Sequence, residues 1–217
     1  MIFEKDHLYH IYNQGNNRQS IFLDKDNYVF FLEKIRNHIS PYADLLAWCL
    51  MPNHFHLMVH VNEVELPISM GPTNAATTQN HALTQHHTSN LINQQKIRTF
   101  QHSIGLMLAS YTRAFNNRNN RSGSLFRKQT KAICLSCSKN TARAWFDSQG
   151  ITVINIQHHE MQYPNICFNY INFNPVKDRL VKQCEDWEFS SYADIKGLRN
   201  GKMINREKID ELGLVLQ

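Results

Sequence analysis

Two histidines separated by one residue offer the first chemistry in this chain. His54 and His56 flank Phe55 in the run HFHLMVHV, whose apolar and β-branched content predicts a strand. Side chains alternate across a strand, so the two imidazoles project from the same face. Two neutral imidazoles on a rigid element hold a divalent ion if a third ligand arrives from elsewhere. His60 shares that face two pleats further on, as a ligand or as a plain strand-end residue. Alone, the pair is weak evidence of a metal. A second candidate is the phenol of Tyr111, on the stripe Ile97, Phe100, Ile104, Leu108, Tyr111 and Phe115 of an expected helix. Packing would explain it. Arg113, Arg118 and Arg121 follow closely, however, and cations would help a phenol lose its proton and attack phosphorus.

Charge is distributed unevenly around these residues. The chain of 217 residues has a formal net charge of +5. From Leu66 to Phe146 there is no Asp or Glu, yet the stretch holds Lys96, Arg98, Arg113, Arg118, Arg121, Arg127, Lys128, Lys131, Lys139 and Arg143. The remainder is therefore net acidic. So one-sided a segment favours a polyanion-binding surface over a merely solvated basic face.

The elements that must position these groups can be read from period and punctuation. LYHIYNQ, residues 8–14, alternates as a first strand, and Gly15 opens a polar loop. Asp24 caps a helix to about Ile39, with Tyr28, Phe31, Leu32 and Ile35 at spacings of three and four. A second strand over Asp44–Leu50 and a third over His54–Val61 form a hairpin across Met51-Pro52-Asn53. Residues 62–88 read as a long polar insertion. Ser89 or Asn90 would cap a second helix reaching Asn117, and a fourth strand would run from Ser124 to Leu135. The order strand, helix, strand, strand, helix, strand predicts an α+β, ferredoxin-like antiparallel sheet with two helices on one face. Residues 1–140 would form this core and 141–217 a C-terminal helical extension.

Several classes are disfavoured. No apolar run approaches the ~18 to 20 residues of a membrane helix. The opening MIFEKDHLYH carries charges where a signal peptide would be apolar, so a soluble, cytoplasmic protein without a membrane partner is expected. The five cysteines do not make a disulfide framework. Cys134 and Cys137 form a lone CxxC without the second pair or spaced histidines of a zinc site, and ordinary thiols are expected. No GxxxxGK[ST] loop is present.

Four blocks, in order, carry a resemblance. YHIYNQGNNRQSIF resembles the first strand and loop of the single-tyrosine HUH transposases. MPNHFHLMV is similar to their histidine–hydrophobic–histidine motif, and SYTRAFNNRNNRSGSLF to their tyrosine helix and following strand. YINFNPVKDRLV with EDWEFSSY resembles a C-terminal pattern of the REP-associated tyrosine transposases, an insertion sequence 200-like branch. The resemblance implies a transposase that cleaves and rejoins single-stranded or hairpin DNA. It implies Mg²⁺ or Mn²⁺ on His54 and His56, and Tyr111 as nucleophile forming a covalent 5′-phosphotyrosine. Some relatives have a polar third ligand one turn after the tyrosine. That position is Phe115 here, which leaves Asn116 as the nearest oxygen donor, with His60 or water as substitutes. DNA contacts would fall to Arg18, Arg113, Arg118, Arg121, Arg127 and Lys128, with Lys177 and Arg179 in the tail region. Tyr12, Phe126, Tyr170 and Phe173 are candidates for stacking on unpaired bases. Asn172 and Asn174 would read base edges or cap a turn. Monomer and homodimer both remain open. The alternatives are a non-catalytic module binding single-stranded nucleic acid through an RRM-like sheet, and a replication or conjugation HUH nuclease.

Overall fold

The structure, a computed structural model, describes residues 2–67, 96–137, 145–146, 152–153 and 159–217. Its centre is a four-stranded antiparallel sheet in the order β2-β3-β1-β6. The strands are β1 (Leu8–Gln14), β2 (Ala43–Met51), β3 (His54–Val61) and β6 (Lys131–Cys134). Helices α1 (Lys25–His38) and α2 (Phe100–Arg118) follow β1 and β3 in sequence. This is the ferredoxin-like α+β arrangement expected from the element order.

Local chemistry accounts for the boundaries. Asp24 accepts from the Asn27 amide and caps α1, satisfying a backbone donor left free at the helix start. α2 begins later than the pattern predicts. Ile97–Thr99 is strand β5, paired with β4 (Glu65–Pro67), and the Thr99 side chain caps α2. Ser89 and Asn90, the expected caps, lie outside the described residues, as does most of the expected insertion. The fourth strand is also shorter than Ser124–Leu135. Its pairing with β1 covers Tyr9 to Tyr12 only, while Phe126 meets Gly15 in an isolated bridge.

The face of the sheet under α1 and α2 is dry and aromatic. Phe31 of α1 sits 5.1 Å from the Phe55 ring and 4.9 Å from Tyr111 of α2. Phe22 and Phe126 close the cluster around Tyr111. Each well-placed ring pair adds about 0.5–1.5 kcal/mol beyond its burial.

The opposite face is covered by α3 (His159–Lys177), an arrangement that two helices on one face do not anticipate. Asn172 fixes α3 to the sheet. It donates to the Phe168 carbonyl and accepts from Ser191, and Ser191 in turn binds Trp48 of β2. The chain over 187–191 runs along the free edge of β2, with Leu50 donating to the Phe189 carbonyl and Ser191 to that of Trp48. Short helices α4 (Tyr192–Ile195) and α5 (Arg206–Glu211) complete the C-terminal part. Among the described residues, no helix is long and apolar enough to cross a membrane.

Candidate metal and nucleic-acid site

The register of the sheet lays the polar groups out in rows. Cys49, His56, Tyr12 and Lys131 are cross-strand partners along one row, and Met51, His54 and Gln14 along the next. Directly paired residues share a face, so His54, His56, Tyr12 and Lys131 all point towards α3. Phe55, between the histidines, points the other way into the aromatic core. The expected alternation is thus realised, with the imidazole centroids 5.0 Å apart.

Each imidazole is oriented by a neighbour. His54 Nδ1 lies 2.6 Å from the side-chain oxygen of Asn53. His56 Nδ1 lies 2.9 Å from Nε2 of His10, a buried histidine from the adjacent strand. Outer partners of this kind fix the tautomer and leave the second nitrogen for a ligand. His56 Nε2 is buried and has no hydrogen-bond partner. Burial lowers the pKa of all three rings: His10 falls to about 4, His56 well below the ordinary histidine value, and His54 in the same direction. All three are neutral at pH 7, the form that ligates a metal.

α3 brings a tyrosine and an asparagine to the histidine face of the sheet. The ring of Tyr170 stands 5.3 Å from His56 and nearly perpendicular to it. Asn174, one turn later, is buried with its Oδ1 unpaired. Its side chain acts on both the Tyr170 phenol, lowering its pKa, and the His54 ring, raising it, in each case against a larger opposing effect of burial. Pro175 follows directly and removes one helical donor at this point. His56 Nε2 and Asn174 Oδ1 lack a partner, and with His54 they offer donor types that suit a divalent ion such as Mn²⁺.

A cavity of about 330 Å³ opens beside the histidine pair, lined by His54, His56, Tyr12, Tyr170, Arg127 and Lys131, with Asn13, Gln14 and Gln129. The Lys177 ammonium lies 5.0 Å from the centre of the Tyr170 ring. Cations therefore meet the site from β6, the loop before it and α3.

Other expected residues fall elsewhere. Tyr111 is 1% exposed, against 36% for Tyr170. Its hydroxyl donates to the Ile21 carbonyl at 2.6 Å, and burial drives its pKa far upwards. It packs on the aromatic face, with the sheet between it and the histidines. The structure does not bring Tyr111 to His54 and His56. Asn116 is near the end of the same helix; its Nδ2 donates to the Gly123 carbonyl, and its Oδ1 is buried without a partner. His60 is engaged with Asn62. Arg118 is paired with Asp24 and Asp26, and Arg121 lies over the Phe115 ring. Arg113 is exposed on α2, and Lys128 lines an adjoining groove that shares Gln129 and Lys131 with the cavity. Arg18 is near the histidines: its carbonyl accepts from Asn53, next to His54. Phe126 is core, and Phe173 packs on Tyr192. Sequence reasoning missed His10 altogether. The only signal was its place in the alternating run LYHIYNQ, on the face opposite Ile11.

No family model and no curated protein matches this sequence. Among solved structures, a chain described as "Structure of the REP associates tyrosine transposase bound to a REP hairpin" is similar with a TM-score of 0.47 and 13% identity, covering 94% of this chain and 92% of that one.

Proposed function

We propose that this protein is a metal-dependent DNA strand transferase of the single-tyrosine HUH class, with Tyr170 as nucleophile. The observation that carries the reading is the buried, unpartnered Nε2 of His56 in a cavity shared with Tyr170. The resemblance of MPNHFHLMV and YINFNPVKDRLV to the REP-associated transposases supports it. A polar ligand one turn after the tyrosine, missing after Tyr111, is present after Tyr170 as Asn174.

His54, His56 and Asn174 would hold the ion, Mg²⁺ or Mn²⁺. When bound, it supplies Lewis-acid polarisation of a phosphate oxygen and orients the scissile group. Arg127 and Lys131 line the cavity and neutralise the phosphate's remaining charge. The Tyr170 phenol loses its proton to water and its oxygen attacks phosphorus in line. The O–P bond to tyrosine forms as the bond to the 3′ oxygen breaks. The leaving 3′ oxygen takes a proton from solvent, and the 5′-phosphotyrosine retains the bond energy. Attack by another 3′-OH reverses the step and joins strands, so no nucleotide cofactor is consumed. Burial raises the Tyr170 pKa and opposes ionisation. Offsetting that is the role of the surrounding positive charge. Tyr12, beside His56 at 5.7 Å, offers a ring for stacking an unpaired base.

The test is incubation of the full chain with labelled hairpin and linear single strands, with and without Mn²⁺. A denaturant-resistant protein–DNA adduct should form only with the ion, and peptide mapping should place it on Tyr170, joined to the 5′ side of the break. Binding that survives chelation, with no adduct anywhere, would make this a non-catalytic single-strand-binding module instead.

A further inference from the structure

A second ligand cluster lies at the other end of β1, away from the histidine pair. Cys134 ends β6, and Tyr9 is its partner across the sheet. This register brings His7, just before β1, against the CxxC loop. One donor atom each from His7, Cys134 and Cys137 lie within 4.8 Å of one another. The two sulfurs are joined as a disulfide, where ordinary thiols were expected. Cys49, Cys167 and Cys184 are free and buried.

We infer that reduction of the Cys134–Cys137 disulfide creates a metal site for a thiophilic divalent cation such as Zn²⁺, held by the two thiolates and His7. The C-x2-C spacing is that of a zinc half-site, and the missing histidine comes from tertiary structure rather than from sequence spacing. The outer partners are already in place. Ser136, inside the CxxC, has its hydroxyl 3.2 Å from His7 Nδ1, so it can fix the tautomer that presents Nε2 to the ion. The same hydroxyl accepts from the Leu8 amide, and its two lone pairs allow both roles. The Glu4 carboxylate, 3.2 Å from His7 Nε2, lies outside the three-donor cluster and would give up that contact to the ion, with water as the fourth ligand.

The chemistry balances with a dithiol or phosphine reductant. The reductant gives two electrons and is itself oxidised, and two protons are taken up as the S–S bond becomes two thiols. Binding then releases those protons as thiolate–metal bonds form. Disulfide and metal are mutually exclusive occupants. Either one ties the end of β6 to the start of β1, and β6 also carries Lys131 into the candidate site.

The test uses the full chain, reduced with a phosphine and stripped of metal, then titrated with Co²⁺. One equivalent should produce the near-ultraviolet thiolate-to-cobalt charge-transfer band, and Zn²⁺ should erase it by displacement. The untreated disulfide form should show no such band. Cys134→Ser and Cys137→Ser should each abolish it, and His7→Gln should weaken Co²⁺ binding at least about tenfold. A His54→Ala, His56→Ala double variant should keep the band, since cobalt on the histidine pair has no sulfur ligand. No band from the reduced wild type, or an undiminished band in Cys137→Ser, overturns the proposal. The first of these needs no variant to fold, and neither bears on Tyr170 or DNA cleavage.

Discussion

The two faces of one sheet treat a tyrosine in opposite ways. Under α1 and α2, Tyr111 is sealed among Phe22, Phe30, Phe31, Phe115 and Phe126, and a backbone carbonyl takes its only proton. Under α3, Tyr170 meets the rings of His10 and His56 and the Lys177 ammonium, and it borders an open cavity. Both lie on helices of 19 residues. The difference lies in what surrounds the hydroxyl. A nucleophile needs access and charge compensation, whereas a core residue needs a hydrogen bond and dryness.

The largest expected effect separates the two directly. Tyr170→Phe should retain folding and DNA binding and reduce adduct formation and cleavage to background, because no neighbouring group can form the covalent bond. Retention of full cleavage would remove Tyr170 from the mechanism.

The next tests the metal set on the α3 face. His54→Ala, or Asn174→Ala, should lower Mn²⁺ affinity on the order of 10- to 100-fold in calorimetry. Asn116→Ala should leave it unchanged, because Asn116 lies near the end of α2 and does not line the cavity beside the histidines. Equal binding by all three variants would make the histidines structural.

A third concerns pH. His10 is held at about 4 in the folded protein by burial, against about 6.5 unfolded. Between those values the unfolded chain binds more protons, so stability rises with pH across that window and is lost as pH falls through it. His10 alone contributes about 3 kcal/mol to that loss. Denaturant titrations from pH 7.5 to 4 should show it, and His10→Gln should flatten the slope. An unchanged slope would place the proton uptake elsewhere.

Salt dependence gives a finer contrast between basic residues. Arg127→Ala should reduce the slope of log binding constant against log salt for single-stranded DNA by up to about one phosphate contact. Arg118→Ala should change it little, since Arg118 is already paired with Asp24 and Asp26. Equal effects would show that those ion pairs open on binding.

The smallest effect returns to Tyr111. Tyr111→Phe deletes one buried hydrogen bond and should cost about 1 to 2 kcal/mol, including the stranded Ile21 carbonyl, with cleavage intact. Loss of cleavage at unchanged stability would reverse the assignment of the two tyrosines.

What the sequence determined by itself is local. A period of two put His54 and His56 on one face of a strand. Asp24 and the spacing of Tyr28, Phe31 and Ile35 specified α1, and Pro52-Asn53 turned the hairpin. Element order was enough for the sheet topology, because a ferredoxin-like core follows from alternating strands and helices with one hairpin. Tertiary structure decided which tyrosine meets the histidines. α2 and α3 each present a tyrosine among apolar neighbours, and periodicity cannot say which face of a sheet a helix will cover. The basic residues after Tyr111 pointed to α2, yet Arg118 is consumed by acids of α1 and its start. Two further contacts lay beyond what spacing along the chain specifies. His10 reaches His56 only through the β1–β3 register, and His7 reaches the CxxC only through the β1–β6 register. Such pairings are fixed by which strands lie adjacent, and no spacing along the chain encodes that.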